Sequence, residues 1–236
     1  MNLTRFFHRS LAVALAAILT LFCVACTADG SRETEAPTEA ETVYVMTMAE
    51  VKAEINSKET TDFTETAETT EYVKITVKDH GDIVLRLRSD VAPITVENFQ
   101  TLVSEGFYDG VTFHRIYKGF MIQGGDPDGD GMSDPNGPSI KGEFSSNGVP
   151  NHLKHVRGVI SMARTTLPNS AYSQFFICDA TRSHLDGSYA AFGYVVAGLE
   201  TVDSIASVEV QYNRGGELSD PVEDVVIEKA CFVTPN

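Results

Sequence analysis

The feature that most constrains this chain is a pair of alternating runs after Tyr72. Val73, Ile75 and Val77 are separated by polar residues, as are Ile83, Leu85 and Leu87, with Asp79-His80-Gly81 between the two runs. Side chains on a strand point alternately to opposite faces, so each run buries one face, and the short polar turn with its glycine predicts a β-hairpin. A helix is expected next. Pro93 suits a first helical turn, Val96, Phe99, Leu102 and Val103 form one apolar stripe, and Gly106 ends it. Short apolar runs then recur at residues 111–116, 120–123, 159–162, 174–178 and 191–195, broken by clusters of Gly, Pro, Asn and Asp. Leu199, Val202, Ile205 and Ala206 predict a second helix, and residues 225–233 a last strand. Many short strands with two helices lead to a mainly β fold, expected as a closed eight-stranded antiparallel β-barrel capped by two α-helices.

The chain before Tyr72 has a different composition. Arg5, His8 and Arg9 precede an uncharged apolar stretch from Leu11 to Ala25, which has the basic start and short apolar body of an export signal and is too short for a comfortable membrane span. It ends at Cys23-Val24-Ala25-Cys26 and turns polar at once. That run resembles a bacterial lipoprotein lipobox, with Cys23 standing where leucine is usual. The resemblance implies lipidation of Cys26 and an extracytoplasmic, lipid-anchored protein. An ordinary cleaved signal peptide is the alternative. From Thr27 to Glu71 there are twelve acidic residues against Arg32, Lys52 and Lys58, a composition that cannot bury enough apolar surface to order itself. This segment is expected to be a disordered tether with a root-mean-square span of roughly 35–40 Å. Residues 43–55 carry enough apolar side chains for a short helix. The chain thus divides into a signal at 1–26, a tether at 27–71 and a folded domain at 72–236.

Within the folded domain, Phe113-His114-Arg115-Ile116 is followed by Gly119-Phe120-Met121-Ile122-Gln123-Gly124-Gly125-Asp126-Pro127. Further on come Gly158-Val159-Ile160-Ser161-Met162-Ala163-Arg164, Pro168-Asn169-Ser170, Ser173-Gln174-Phe175-Phe176-Ile177 and Leu185-Asp186-Gly187 before Phe192-Gly193. In this order the blocks resemble the cyclophilin family of peptidyl-prolyl cis-trans isomerases over essentially the whole domain. The resemblance implies Arg115 and Gln123 as catalytic residues. It places Phe120, Met121, Ala163, Arg164, Gln174, Phe176, His184, Leu185 and Tyr189 on the substrate. His184 stands where many eukaryotic members have tryptophan, Tyr189 where they have histidine and Arg164 where they have asparagine. The missing indole removes apolar area and an N–H donor, so cyclosporin binding is expected to be weak.

The residue types suit such a reaction. Rotation about a peptide bond faces a barrier of about 18–20 kcal/mol, and uncatalysed prolyl isomerisation takes about 10–100 s. No bond breaks, so neither a cofactor nor a metal is called for. What helps is a pocket for the proline ring and a donor aimed at the prolyl nitrogen as its lone pair localises. Arginine fits that task because it stays charged and presents several donors in a rigid fork. An acceleration of about 10⁴-fold corresponds to roughly 5.5 kcal/mol. His114, beside Arg115 but pointed away by alternation, is expected to have a structural hydrogen-bonding role.

Charge and cysteines limit the other functions. A net charge of -15, from 18 basic and 33 acidic residues, argues against nucleic acid as a partner. Residues 126–134 open like a calcium loop, but the twelfth position is Gly137 instead of glutamate, so no metal site is expected there. Cys178 and Cys231 are expected to be free thiols in strands. Expected partners are proline-containing polypeptides and the membrane reached through the lipid anchor, with the protein itself a monomer. A tethered module that binds proline peptides without efficient turnover is the alternative function.

Overall fold

The computed structural model describes residues 62–132 and 137–236. The signal, Cys26, the tether up to residue 61 and the helix expected at residues 43–55 lie outside the described residues.

Regular structure is present before Tyr72. A three-residue strand, β1 (Phe63–Glu65), pairs with the final strand, β11 (Ile227–Pro235). The tether expected to run to residue 71 is therefore corrected over its last residues. Local composition hides this strand because its support is not local. The Phe63 ring lies 5.8 Å from Tyr72, and Glu65 accepts from both Lys74 (2.8 Å) and Lys229 (2.7 Å).

The expected hairpin forms β2 (Tyr72–Val77) and β3 (Gly81–Leu87), antiparallel, with Val73, Ile75, Val77, Ile83, Leu85 and Leu87 all buried. Helix α1 (Pro93–Ser104) has proline in its first turn and buries Thr95, Val96, Phe99, Leu102 and Val103. Ala92 at its start supplies no capping side chain. The buried Glu143, far along the chain, does so instead, accepting from the backbone N–H of Thr95 (2.8 Å) and Ile94 (3.2 Å) and from the Thr95 hydroxyl (2.7 Å). Free N–H groups at a helix start need such partners.

The middle of the domain supplies β4 (Arg115–Tyr117), β5 (Met121–Gly124), β6 (Val159–Met162), β7 (Phe175–Cys178) and β8 (Ala191–Ala197). Helix α2 (Leu199–Ile205) follows, as its apolar stripe predicts. A ribbon of β9 (Val210–Tyr212) and β10 (Leu218–Pro221) then precedes β11. The main sheet runs β1-β11-β2-β3-β8-β6-β7-β5-β4.

This is a nine-stranded sheet with two free ends, and the closed eight-stranded barrel expected from the sequence is not formed. Closure requires the two end strands to share a ladder. At one end the added strand β1 covers β11, and at the other β4 is only three residues long and has the separate β9-β10 ribbon beside it. The two expected helices and the mainly β character are present. The core is centred on Phe99, whose ring lies 5.2 Å from Tyr108, 5.7 Å from Phe175 and 5.2 Å from Phe192.

Candidate active site

Strand register assembles the site. Arg115 on β4 pairs with Gln123 on β5, Gln123 pairs with Phe176 on β7, and Phe176 pairs with Ser161 on β6. Directly opposed residues share a face of a sheet, so a cation, an amide and an aromatic ring stand in one row. Met121 lies two residues from Gln123 on the same face and opposite Cys178. The neighbours Ile122, Phe175 and Ile177 point the other way into the main core. Both faces of β5 and β7 are thus buried, which explains the unbroken apolar run Phe175-Phe176-Ile177-Cys178.

Met121, Phe176, Cys178 and Leu185 form a floor, with Phe120, Ala163 and Tyr189 packed against it. Beneath it lies His155, 1% exposed, stacked under Phe176 with ring centroids 5.9 Å apart and planes inclined by 18°. Its Nδ1 is 3.1 Å from Asp186 Oδ1 and its Nε2 is 3.1 Å from the Ser161 hydroxyl. Burial lowers the pKa of this imidazole, with Asp186 opposing the shift. Cys178 is a buried thiol pushed up to about 12 by desolvation, far too high to act as a nucleophile. It does not pair with Cys231, and both are free.

The rim above the floor is polar and directed. Arg115 Nε–H donates to Glu217 Oε2 (2.6 Å), Nη2–H to Glu217 Oε1 (2.8 Å) and Nη1–H to Gln123 Oε1 (3.1 Å). The Glu217 carboxyl is held below its ordinary range, chiefly by the hydrogen bond from Arg115, with burial opposing. Gln123 in turn donates to Gln174 Oε1 (3.0 Å), and Gln174 donates to the Met132 carbonyl (2.6 Å). Phe120 lies between two guanidinium groups, 5.8 Å from Arg115 and 5.5 Å from Arg182. Arg182 also donates to the Gly119 carbonyl, and Asp179 accepts from the Gly119 N–H (2.5 Å), so the turn carrying Phe120 is held on both sides. Arg164 is fixed on the opposite wall. Its guanidinium lies 4.6 Å from the Tyr189 ring and 5.0 Å from Phe144, and it donates to the Ser188 carbonyl at 3.0 and 2.8 Å.

Floor and rim enclose a cavity of about 610 Å³, a size ordinary for a small-ligand or single-side-chain site. Arg115, Phe120, Met121, Gln123, Ala163, Arg164, Phe176, Leu185 and Tyr189 all line it. Gln174 lines an adjoining cavity of about 630 Å³ whose wall also includes Gln123, Ala163 and Arg164. His184 lines neither: it is exposed on a short 3-10 turn, with its ring 6.2 Å from Phe120. His114 also departs from expectation, since it faces the main cavity and neither ring nitrogen has a hydrogen-bond partner among the described residues. It precedes β4 and therefore does not obey the alternation of that strand. Burial lowers its pKa.

Several lining residues are not apparent in the sequence. Asn213, Arg214, Gly215 and Asp220 come from the β9-β10 ribbon, for which Gly215-Gly216 between apolar residues was the available hairpin signal. Asp130 lines the cavity from the loop after β5. There Asp126 accepts from the Gly131 N–H (2.7 Å) and Asp130 from the Met132 N–H (2.8 Å), so these carboxylates brace their own loop. Gly125 permits the close approach of this strand end to β7. It has φ 87°, and a Cβ there would lie 2.5 Å from the Ser173 carbonyl oxygen.

Comparison with known proteins agrees with this geometry. Residues 72–231 match the family model for cyclophilin type peptidyl-prolyl cis-trans isomerase/CLD. Peptidyl-prolyl cis-trans isomerase A of Dickeya dadantii is 40% identical over 158 residues, covering 65% of this chain and 80% of that protein. Human peptidyl-prolyl cis-trans isomerase-like 3 is 42% identical over 156 residues, covering 65% and 94%. The crystal structure of a Cryptosporidium parvum cyclophilin type peptidyl-prolyl cis-trans isomerase superposes with a TM-score of 0.60 at 29% identity, covering 70% of this chain and 98% of that one. The chain belongs to the cyclophilin-type peptidyl-prolyl cis-trans isomerases.

Proposed function

We propose that this isomerase accelerates proline-limited folding of exported proteins at the outer face of a membrane, held there by lipid on Cys26. Within the site, Arg115 is the donor to the prolyl nitrogen and Gln123 binds the substrate backbone. Phe120, Met121, Phe176 and Leu185 receive the proline ring. The observation that carries this assignment is the row in which Arg115 and Gln123 stand in register directly beside the apolar floor. As the peptide bond twists, the prolyl nitrogen becomes a better acceptor, and a fixed cation stabilises that state more than the planar one. Substrate affinity comes mainly from the floor, which accepts an apolar ring without needing a particular neighbouring residue.

The export half of the proposal rests on the order of segments, from a basic start through an apolar body to Cys26 and a polar acidic stretch. A single acyl chain binds membranes only marginally and two or more hold firmly. Labelling cells with a fatty-acid analogue tests it. The parent protein is expected to take up label and sediment with membranes, and Cys26→Ala to do neither. Label retained in the variant removes Cys26 as the anchor.

The catalytic half is tested by the cis-to-trans rate of a proline tetrapeptide with the parent protein and Arg115→Ala. Fast turnover lost in the variant, with peptide binding kept, supports the assignment. Equal rates in both would leave a module that binds proline peptides and depends on its floor alone.

A further inference from the structure

We propose that Glu217 is a positioning residue for isomerisation, clamping one edge of the Arg115 guanidinium so that its remaining donors face the cavity. The proposal rests on the assignment of Arg115 as the donor. A guanidinium has five N–H donors in one plane. Glu217 takes two of them through Nε and Nη2, at 2.6 and 2.8 Å, and Gln123 takes one from Nη1 at 3.1 Å. One N–H on each terminal nitrogen is left for a substrate.

The clamp has a defined orientation. A fork through Nε and one terminal nitrogen fixes rotation of the group about its own axis, which a single hydrogen bond leaves free. An arginine already held loses no further rotamer freedom as the peptide bond twists. Glu217 is itself held. Its Oε2 accepts from the Ser219 hydroxyl (2.9 Å), and Ser219 is fully buried. Its backbone N–H donates to Asn213 Oδ1 (3.0 Å), and its carbonyl accepts from the Asn213 N–H (2.8 Å). The β9-β10 ribbon, a separate two-stranded sheet, thus brings Glu217 to the end of β4. The fork also places a carboxylate next to the working cation, which weakens the field that the cation projects. The geometry points to orientation as the larger effect, because the two free donors lie on the edge away from Glu217.

The test uses Glu217→Gln, which nearly preserves shape and the Ser219 contact while removing the charge and one acceptor of the fork. Exchange measurements by NMR on a proline tetrapeptide separate kcat from KM. A kcat reduced about tenfold with KM within about twofold is expected, because misplacing a catalytic group by a fraction of an ångström is felt in the twisted state and not in ground-state binding. Glu217→Asp keeps the carboxylate one methylene short and is expected to fall between the two. The Nη2 N–H signal of Arg115, whose acceptor is Oε1, should be slow to exchange in the parent and fast in Glu217→Gln. The decisive comparison repeats Glu217→Gln in the Arg115→Ala background, where its effect should shrink below about twofold because the group it positions is gone. An equal loss in that background would overturn the proposal, since Glu217 would then act through the ribbon. A kcat unchanged or raised by Glu217→Gln would overturn it as well. Failure of the donor assignment is separately visible as full activity of Arg115→Ala alone, which removes the premise.

Discussion

The floor and the rim of the cavity are built on opposite physical plans. Met121, Phe176, Cys178 and Leu185 are at most 7% exposed and pack together, with the His155 ring stacked on Phe176. Arg115 and Glu217 have side chains 32% and 31% exposed and are held by directed, charge-assisted hydrogen bonds. Floor positions are set by volume, because close-packed side chains have nowhere else to go. Rim positions are set by angle, because a guanidinium and a carboxylate meet well in few orientations. A site built this way separates affinity from rate. Under the proposed assignment the floor receives the proline ring and the rim acts as the bond beside it twists.

That division can be broken from either side. Phe176→Ala should have the largest effect, a stability loss of about 3–5 kcal/mol from a large cavity beneath a packed wall, seen as a lower urea midpoint together with weaker peptide binding. Arg115→Ala should leave the urea midpoint nearly unchanged and reduce kcat by about 10²–10³-fold, the usual consequence of removing one preorganised donor. A stability loss in Arg115→Ala as large as that in Phe176→Ala would abolish the distinction between floor and rim. Glu217→Gln, described above, is expected to be milder and confined to kcat.

The smallest effect should come from a charged cluster at the far edge of the sheet, which serves as a control for electrostatics without function. Glu65 bridges Lys74 and Lys229, and these partners bring its carboxyl from 4.5 down to about 2. A folded pKa below the unfolded one stabilises the protein above about 4.5, and that contribution is lost as pH falls from there toward about 2. The side chain is 46% exposed, so solvent screening limits the contribution to under about 1 kcal/mol. Denaturation of Glu65→Gln and parent should differ slightly near neutral pH and converge in strong acid, with isomerase activity equal in both. A difference that grew in acid would reverse the sign and discount the pairs.

Much of this was legible before any coordinates. The β2-β3 hairpin and both helices are written in local periodicity. Nine of the eleven residues that the resemblance assigns to catalysis and substrate line one cavity; strand register brings Arg115, Met121, Gln123 and Phe176 together, and the turns and loops beside those strands supply the rest. His184 lines neither cavity and stands exposed on its 3-10 turn beside Phe120. His114 was misplaced because a residue just before a strand is not bound by the strand's alternation.

The sequence by itself determined which face of the β2-β3 hairpin is apolar and where the helices start. These are local consequences of side-chain period and turn chemistry. Only the tertiary structure decided that the sheet has nine strands and two free ends, that Phe63–Glu65 joins it, that Glu143 caps α1, and that Glu217 grips Arg115 from 102 residues away. Each depends on where a distant part of the chain returns. No local pattern encodes such a return, because its free energy comes from contacts that exist only once the rest of the domain is packed.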